Sequence, residues 1–105
     1  MVKHIKSVEE FEKEIKTGLK VVDFFATWCG PCRLLSPVLE EYSEEHPDVD
    51  ILKIDCDEVS ELASKYFVSS IPYIITFVDG VKTGENVGYL PKPQLDRFLN
   101  SSLKI

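Results

Sequence analysis

The stretch Lys20-Val21-Val22-Asp23-Phe24-Phe25-Ala26 constrains this chain more than any other segment. It carries two apolar sets in alternation, Val21 and Phe25 on one side and Val22, Phe24 and Ala26 on the other. A strand that is apolar on both faces has to be covered on both faces. That requirement places it centrally in a layered α/β sheet. The flanking sequence supplies the covering helices. Ser7-Val8-Glu9-Glu10 reads as a capping box, in which Ser7 holds an orphan N–H and Glu10 reaches back. Val8, Phe11 and Ile15 then fall on one helical face, and Gly18 stops the helix. A second helix is expected from about Pro31 to His46, with Leu34, Leu35, Val38, Leu39 and Tyr42 at helical spacing. Pro37 inside it cannot donate to the Arg33 carbonyl, which predicts a kink.

Residues 2–5 and 50–55 read as further strands, and Glu58 to Tyr66 as a short helix. Residues 73–78 and 81–88 flank Asp79-Gly80, a pair suited to the positive φ angles of a tight hairpin turn. A last helix starts near Pro91 and presents Leu95, Phe98, Leu99 and Leu103. The order is β-α-β-α-β-α-β-β-α. Early alternation gives parallel crossovers and the hairpin closes the sheet antiparallel. The expectation is one three-layer α/β/α domain over residues 1–105, with a mixed five-stranded sheet and four helices.

Charge and composition narrow the class. Eighteen Asp and Glu outweigh twelve Lys and Arg, for a net charge of −6. A nucleic-acid partner would call for a basic face, so none is expected. No apolar run approaches the roughly 18 residues of a membrane span, and the first twenty residues hold no apolar core of a secretory signal. Three cysteines are too few and too unevenly placed for a disulfide-stapled secreted scaffold. The expected setting is cytoplasmic, with cysteines that are reactive or metal-binding.

Trp28-Cys29-Gly30-Pro31-Cys32 lies where the most apolar strand ends and the second helix begins. Two intervening residues at a helix start bring two sulfurs within joining reach, so a dithiol can open and close with little backbone motion. Gly30 permits close backbone approach, and Pro31 fits the first helical turn, where its missing donor would be orphaned anyway. Cys29 stands at the helix N-terminus, where free N–H groups and the helix dipole favour an anion by about 0.3–1 kcal/mol, up to about 2 when sheltered. That makes Cys29 the expected nucleophile, with Arg33 as a candidate helper. Cys32, one turn in, is expected to be covered. The competing readings are half of a zinc site and an inert packed pair. Zinc needs four ligands, and only Cys56, His4 and His46 remain to complete a set, so no metal is expected.

With these residues in hand, the chain resembles the thioredoxin family. Val21-Val22-Asp23-Phe24-Phe25-Ala26-Thr27-Trp28-Cys29-Gly30-Pro31-Cys32, then Ile71-Pro72, then Val87-Gly88 before a last helix follow that family's order and intervals. The resemblance implies the thioredoxin fold and a protein-disulfide reductase whose electrons reside on Cys29 and Cys32, with no bound cofactor. It implies recycling by an NADPH-dependent thioredoxin reductase that carries FAD, disulfide-containing client proteins, and a monomer.

Asp23 alternates with Val21 and Phe25, which points it into an apolar layer where its pKa should rise. The resemblance gives it the proton transfer that readies Cys32. The plainer alternative is a strand-end Asp facing solvent. Lys53 would lie near Asp23 and tune it, or simply snorkel from a half-covered strand. The resemblance makes Pro72 cis and packs it against the dithiol. It also sets Trp28, Gly30, Pro31, Ile71, Pro72, Val87, Gly88 and Tyr89 as an apolar apron around Cys29, suited to extended peptide segments. Tyr73 and Tyr89 are bulkier than the residues usual there, and Tyr73 is expected to narrow the substrate groove. Cys56, flanked by Asp55 and Asp57, is expected to be an unreactive thiol. An oxidase, an isomerase and a binding module that merely uses the fold are the rival functions.

Overall fold

A computed structural model describes residues 1–105. The elements are β1 (Val2–His4), α1 (Val8–Glu14), β2 (Leu19–Phe25), α2 (Gly30–Glu45), β3 (Val49–Asp55), α3 (Ser60–Lys65), β4 (Tyr73–Val78), β5 (Val81–Val87) and α4 (Lys92–Leu103). The order matches the sequence reading, and boundaries move by one or two residues except at α1, which ends at Glu14 with Ile15 as its cap, short of the expected stop at Gly18. The sheet runs β1-β3-β2-β4-β5, so β2 is its middle strand. β3 pairs parallel with β1 and β2, while β4 pairs antiparallel with β2 and β5.

The two faces of β2 are divided as its alternation predicts. Val22 and Phe24 join Phe11 of α1 and Leu62 of α3 in one core cluster. Val21 joins Leu35, Leu39 and Tyr42 of α2 and Leu95, Leu99 and Leu103 of α4 in the other. Helices α1 and α3 therefore cover one face, α2 and α4 the opposite one, and the result is a three-layer sandwich. At α1, Ser7 Oγ accepts from Glu10 N–H at 3.1 Å, while the Glu10 carboxylate accepts from the Lys6 N–H at 2.8 Å. The reciprocal bond thus lands one residue before the cap. Asp79 and Gly80 take φ of 47° and 86°, the doubly positive pair that a two-residue hairpin turn demands. Helix α2 continues through Pro37 to Glu45.

Candidate active site

The site forms because the middle strand β2 ends at Phe25 and, after a four-residue turn, α2 begins at Gly30. Cys29 is the N-cap of α2, in extended conformation with φ −85° and ψ 116°, and Pro31 occupies the first turn. The Cys32 backbone N–H points back at Cys29 Sγ, 3.2 Å away. The capping role that Ser or Asp oxygen usually plays is taken here by sulfur. Cys29 and Cys32 are joined as a disulfide with their Cα atoms 5.3 Å apart. Cys29 Sγ also lies 3.9 Å from the Ile71 carbonyl oxygen, so the loop before β4 sits against the sulfur pair.

Ile71–Pro72 is a cis peptide. Pro72 is buried and Ile71 half-buried beside Ala26, Cys29 and Cys32. The Pro72 carbonyl accepts from Gly88 N–H at 2.8 Å, which ties the hairpin end to this loop. Trp28 is 68% exposed, Val87 60% and Tyr89 41%; Pro31 is exposed too, and Gly30 and Gly88 are half-buried. An apolar surface does surround the sulfurs. The sulfur pair itself is different: Cys29 is only 5% exposed and Cys32 3%. The expectation of an open Cys29 beside a covered Cys32 is not met in the disulfide form, where both cysteines are buried and Ile71 packs against them.

Beneath α2 lies a buried charge pair. Asp23 and Lys53 are register partners on β2 and β3, 1% and 8% exposed, with Lys53 Nζ 3.8 Å from Asp23 Oδ2. Burial pushes the Asp23 carboxyl up to about 6, against the opposing pull of Lys53. Lys53 Nζ donates to Ser36 Oγ at 2.9 Å and sits 4.8 Å from the centre of the Phe25 ring. Ser36 follows Cys32 by one helical turn, so both lie on the face of α2 that looks down at this pair. The solvent-facing alternative for Asp23 is excluded, and so is a free, snorkelling Lys53.

Several expected neighbours are elsewhere. The Arg33 guanidinium donates to the Thr27 carbonyl at 3.0 Å, so it braces the loop before Cys29 and makes no hydrogen bond to the sulfur. Tyr73 does not narrow the groove. Its ring is buried in the α1/α3 core, stacked on Phe24, and its hydroxyl donates to Glu85 at 2.9 Å. Strand alternation explains this: Tyr73 follows Pro72 and therefore points to the opposite face. Cys56 is a half-buried free thiol, pushed up to about 11 by burial and by Asp55, Asp57 and Asp23. Two contacts had no signal in the sequence. Trp28 Nε1 donates to Asp57 Oδ2 at 2.9 Å, joining loops 29 residues apart, and Ser36 holds Lys53. No group of three or more His, Cys, Asp or Glu side chains converges to hold a metal ion.

Comparison with known proteins completes the picture. The thioredoxin family profile matches residues 2–101. A thioredoxin of Staphylococcus epidermidis is 46% identical over 95 residues, covering 90% of this chain and 91% of that protein. Among solved structures, a mutant thioredoxin from Halobacterium salinarum superposes with a TM-score of 0.89 at 32% identity, over 99% of this chain and 92% of its own. A structure from work on the thiol-resolving mechanism of yeast mitochondrial 1-Cys peroxiredoxin through glutathione and thioredoxin systems gives 0.85 at 31%, over 92% of each chain. With sequence and fold matched over nearly its whole length around a closed dithiol, the chain belongs to the thioredoxin family and is a thiol–disulfide oxidoreductase.

Proposed function

We propose that the protein, acting as one domain and a monomer in the cytoplasm, reduces disulfides in client proteins. The observation that carries this reading is the Cys32 N–H aimed at Cys29 Sγ at 3.2 Å, at the start of a sixteen-residue helix. Once the disulfide is reduced, that donor and the helix dipole favour a thiolate on Cys29. The Cys29 thiolate attacks one sulfur of a client disulfide. A bond forms between Cys29 and that sulfur, and the other client sulfur leaves as thiolate. Asp23 then takes the Cys32 proton, and the Cys32 thiolate attacks Cys29 Sγ. The Cys29–client bond breaks, its electron pair leaves with the client, and Cys29–Cys32 is oxidised.

Gly30 and Pro31 set the short span between the cysteines. Trp28, Ile71, Pro72, Val87, Gly88 and Tyr89 receive the client segment around its cystine, and Lys53 tunes Asp23. Disulfide-bearing protein clients are supported by the peroxiredoxin work from which one similar structure comes. No cofactor binds this chain; NADPH and FAD act through the thioredoxin reductase that restores the dithiol.

The test is reduction of an inter-chain disulfide substrate driven by dithiothreitol. Wild type should accelerate it, and Cys29→Ser should lose the acceleration entirely. Full activity in Cys29→Ser would sink the mechanism. A Cys29/Cys32 reduction potential more negative than the glutathione couple supports a reductase, and a more positive one supports an oxidase or isomerase.

A further inference from the structure

Lys53 has two acceptors within reach and prefers the neutral one. Its ammonium donates to Ser36 Oγ at 2.9 Å but stands 3.8 Å from Asp23 Oδ2, beyond hydrogen-bond distance. Asp23 Oδ1 has no hydrogen-bond partner among the protein's own groups, although the residue is 1% exposed. A buried lysine beside a buried carboxylate would ordinarily close on it, because a charge-assisted hydrogen bond is about twice as strong as a neutral one. Ser36 supplies the reason it does not. It stands on α2 one turn beyond Cys32, above the pair, and draws the ammonium up toward the helix and off the sheet.

We propose that Ser36 is a positioning residue: its hydroxyl holds the Lys53 ammonium off Asp23, so the buried carboxylate stays basic enough to take the Cys32 proton. The inference deepens the mechanism proposed above and rests on it. On the same sheet face, His4 of β1 is the register partner of Lys53, and Asp55 lies two residues beyond Lys53 on β3. Lys53 faces Asp23 from β3, and the Cys56 thiol lies within electrostatic reach just past that strand. Ile74, its partner on β4, is apolar, and so is the buried face of α4 formed by Leu95, Leu99 and Leu103. Helix α2 contributes Cys32 and Ser36. Besides Asp23, the ammonium has the Ser36 hydroxyl as its one hydrogen-bond acceptor and the Phe25 ring, 4.8 Å from its centre, as a weaker contact.

Losing the hydroxyl frees Lys53 to close on Asp23. The existing 3.8 Å ion pair shortens to a hydrogen-bonded one, the proton affinity of the carboxylate falls, and it becomes a weaker base for Cys32. The test follows the Asp23 side-chain carboxyl by carbon NMR in the oxidised protein. Ser36→Ala should move its midpoint down by roughly one pH unit, and Ser36→Thr, which keeps the hydroxyl, should leave it in place. In the reduced Ser36→Ala protein, release of client from a preformed mixed disulfide should slow about threefold near neutral pH, while the first attack by Cys29 is unchanged. An unmoved carboxyl midpoint in Ser36→Ala overturns the proposal. So does an equal shift in Ser36→Thr, which would mark a packing effect. The parent reading fails differently: if Asp23→Asn leaves the pH profile of client release intact, Asp23 is not the proton acceptor, whatever Ser36 does.

Discussion

The buried Asp23 carboxyl is shifted upward, opposite in direction to the paired carboxylates Glu14 and Glu85. Asp23 titrates at about 6 in the folded protein against an ordinary 3.8, chiefly because burial disfavours its charge. A native pKa above the unfolded one means the folded state binds the proton more tightly. Stability therefore falls as pH rises from about 4 to about 6, and the loss, about 3 kcal/mol, persists at higher pH. Asp23→Asn should then be more stable than wild type by up to that amount at pH 7 and above, with the difference vanishing near pH 4. Urea unfolding across that range checks both sign and window. The burial of Asp23 was legible from its place between Val21 and Phe25. Its Lys53 neighbour came from resemblance, and the hold of Ser36 on Lys53 was invisible, since it depends on how α2 crosses β3. The inward turn of Tyr73 was missed for another reason: one alternation after Pro72 decides it, and comparison by position alone overlooked that face.

Elements were easier to read than contacts between them. β2 betrayed its central place because only a covered strand is apolar on both faces, and Asp79-Gly80 marked the hairpin through its backbone preferences. The dithiol was legible as a motif, because Cys29 and Cys32 lie on one element start. The packing of the Ile71–Pro72 loop against the sulfurs came only from the resemblance, because it joins segments 42 residues apart. The packing of β5 against α4 is likewise a contact between distant elements. Gly84 on β5 faces Thr76 in register, and a Cβ there would lie 2.4 Å from Ser102 Oγ and 3.1 Å from Thr76 Oγ1. Gly84→Ala should cost about 1–3 kcal/mol through overpacking, read as a lower denaturation midpoint. Because Gly84 and Ser102 are not among the residues that surround Cys29, the folded variant should reduce disulfides at the wild-type rate below its transition. A variant as stable as wild type would show that α4 yields easily at this contact.

At the scale of the whole molecule, a rigid three-layer frame brings three distant pieces of chain together. The end of β2 with the start of α2 supplies the sulfurs, the loop before β4 closes over them, and β3 carries the lysine beneath. No helix of this frame is long and apolar enough to cross a membrane. Trp28, Val87 and Tyr89, proposed above to receive the client, are exposed around the buried disulfide. The central claim is a division of labour in which Cys29 meets the client and Cys32 releases it. Mass spectrometry of single-cysteine variants incubated with a disulfide-bonded protein tests it most directly. Cys32→Ser should accumulate a stoichiometric, reductant-sensitive adduct on Cys29, and Cys29→Ser should accumulate none on Cys32. Adducts forming equally on both cysteines, or on Cys32 alone, would contradict the account.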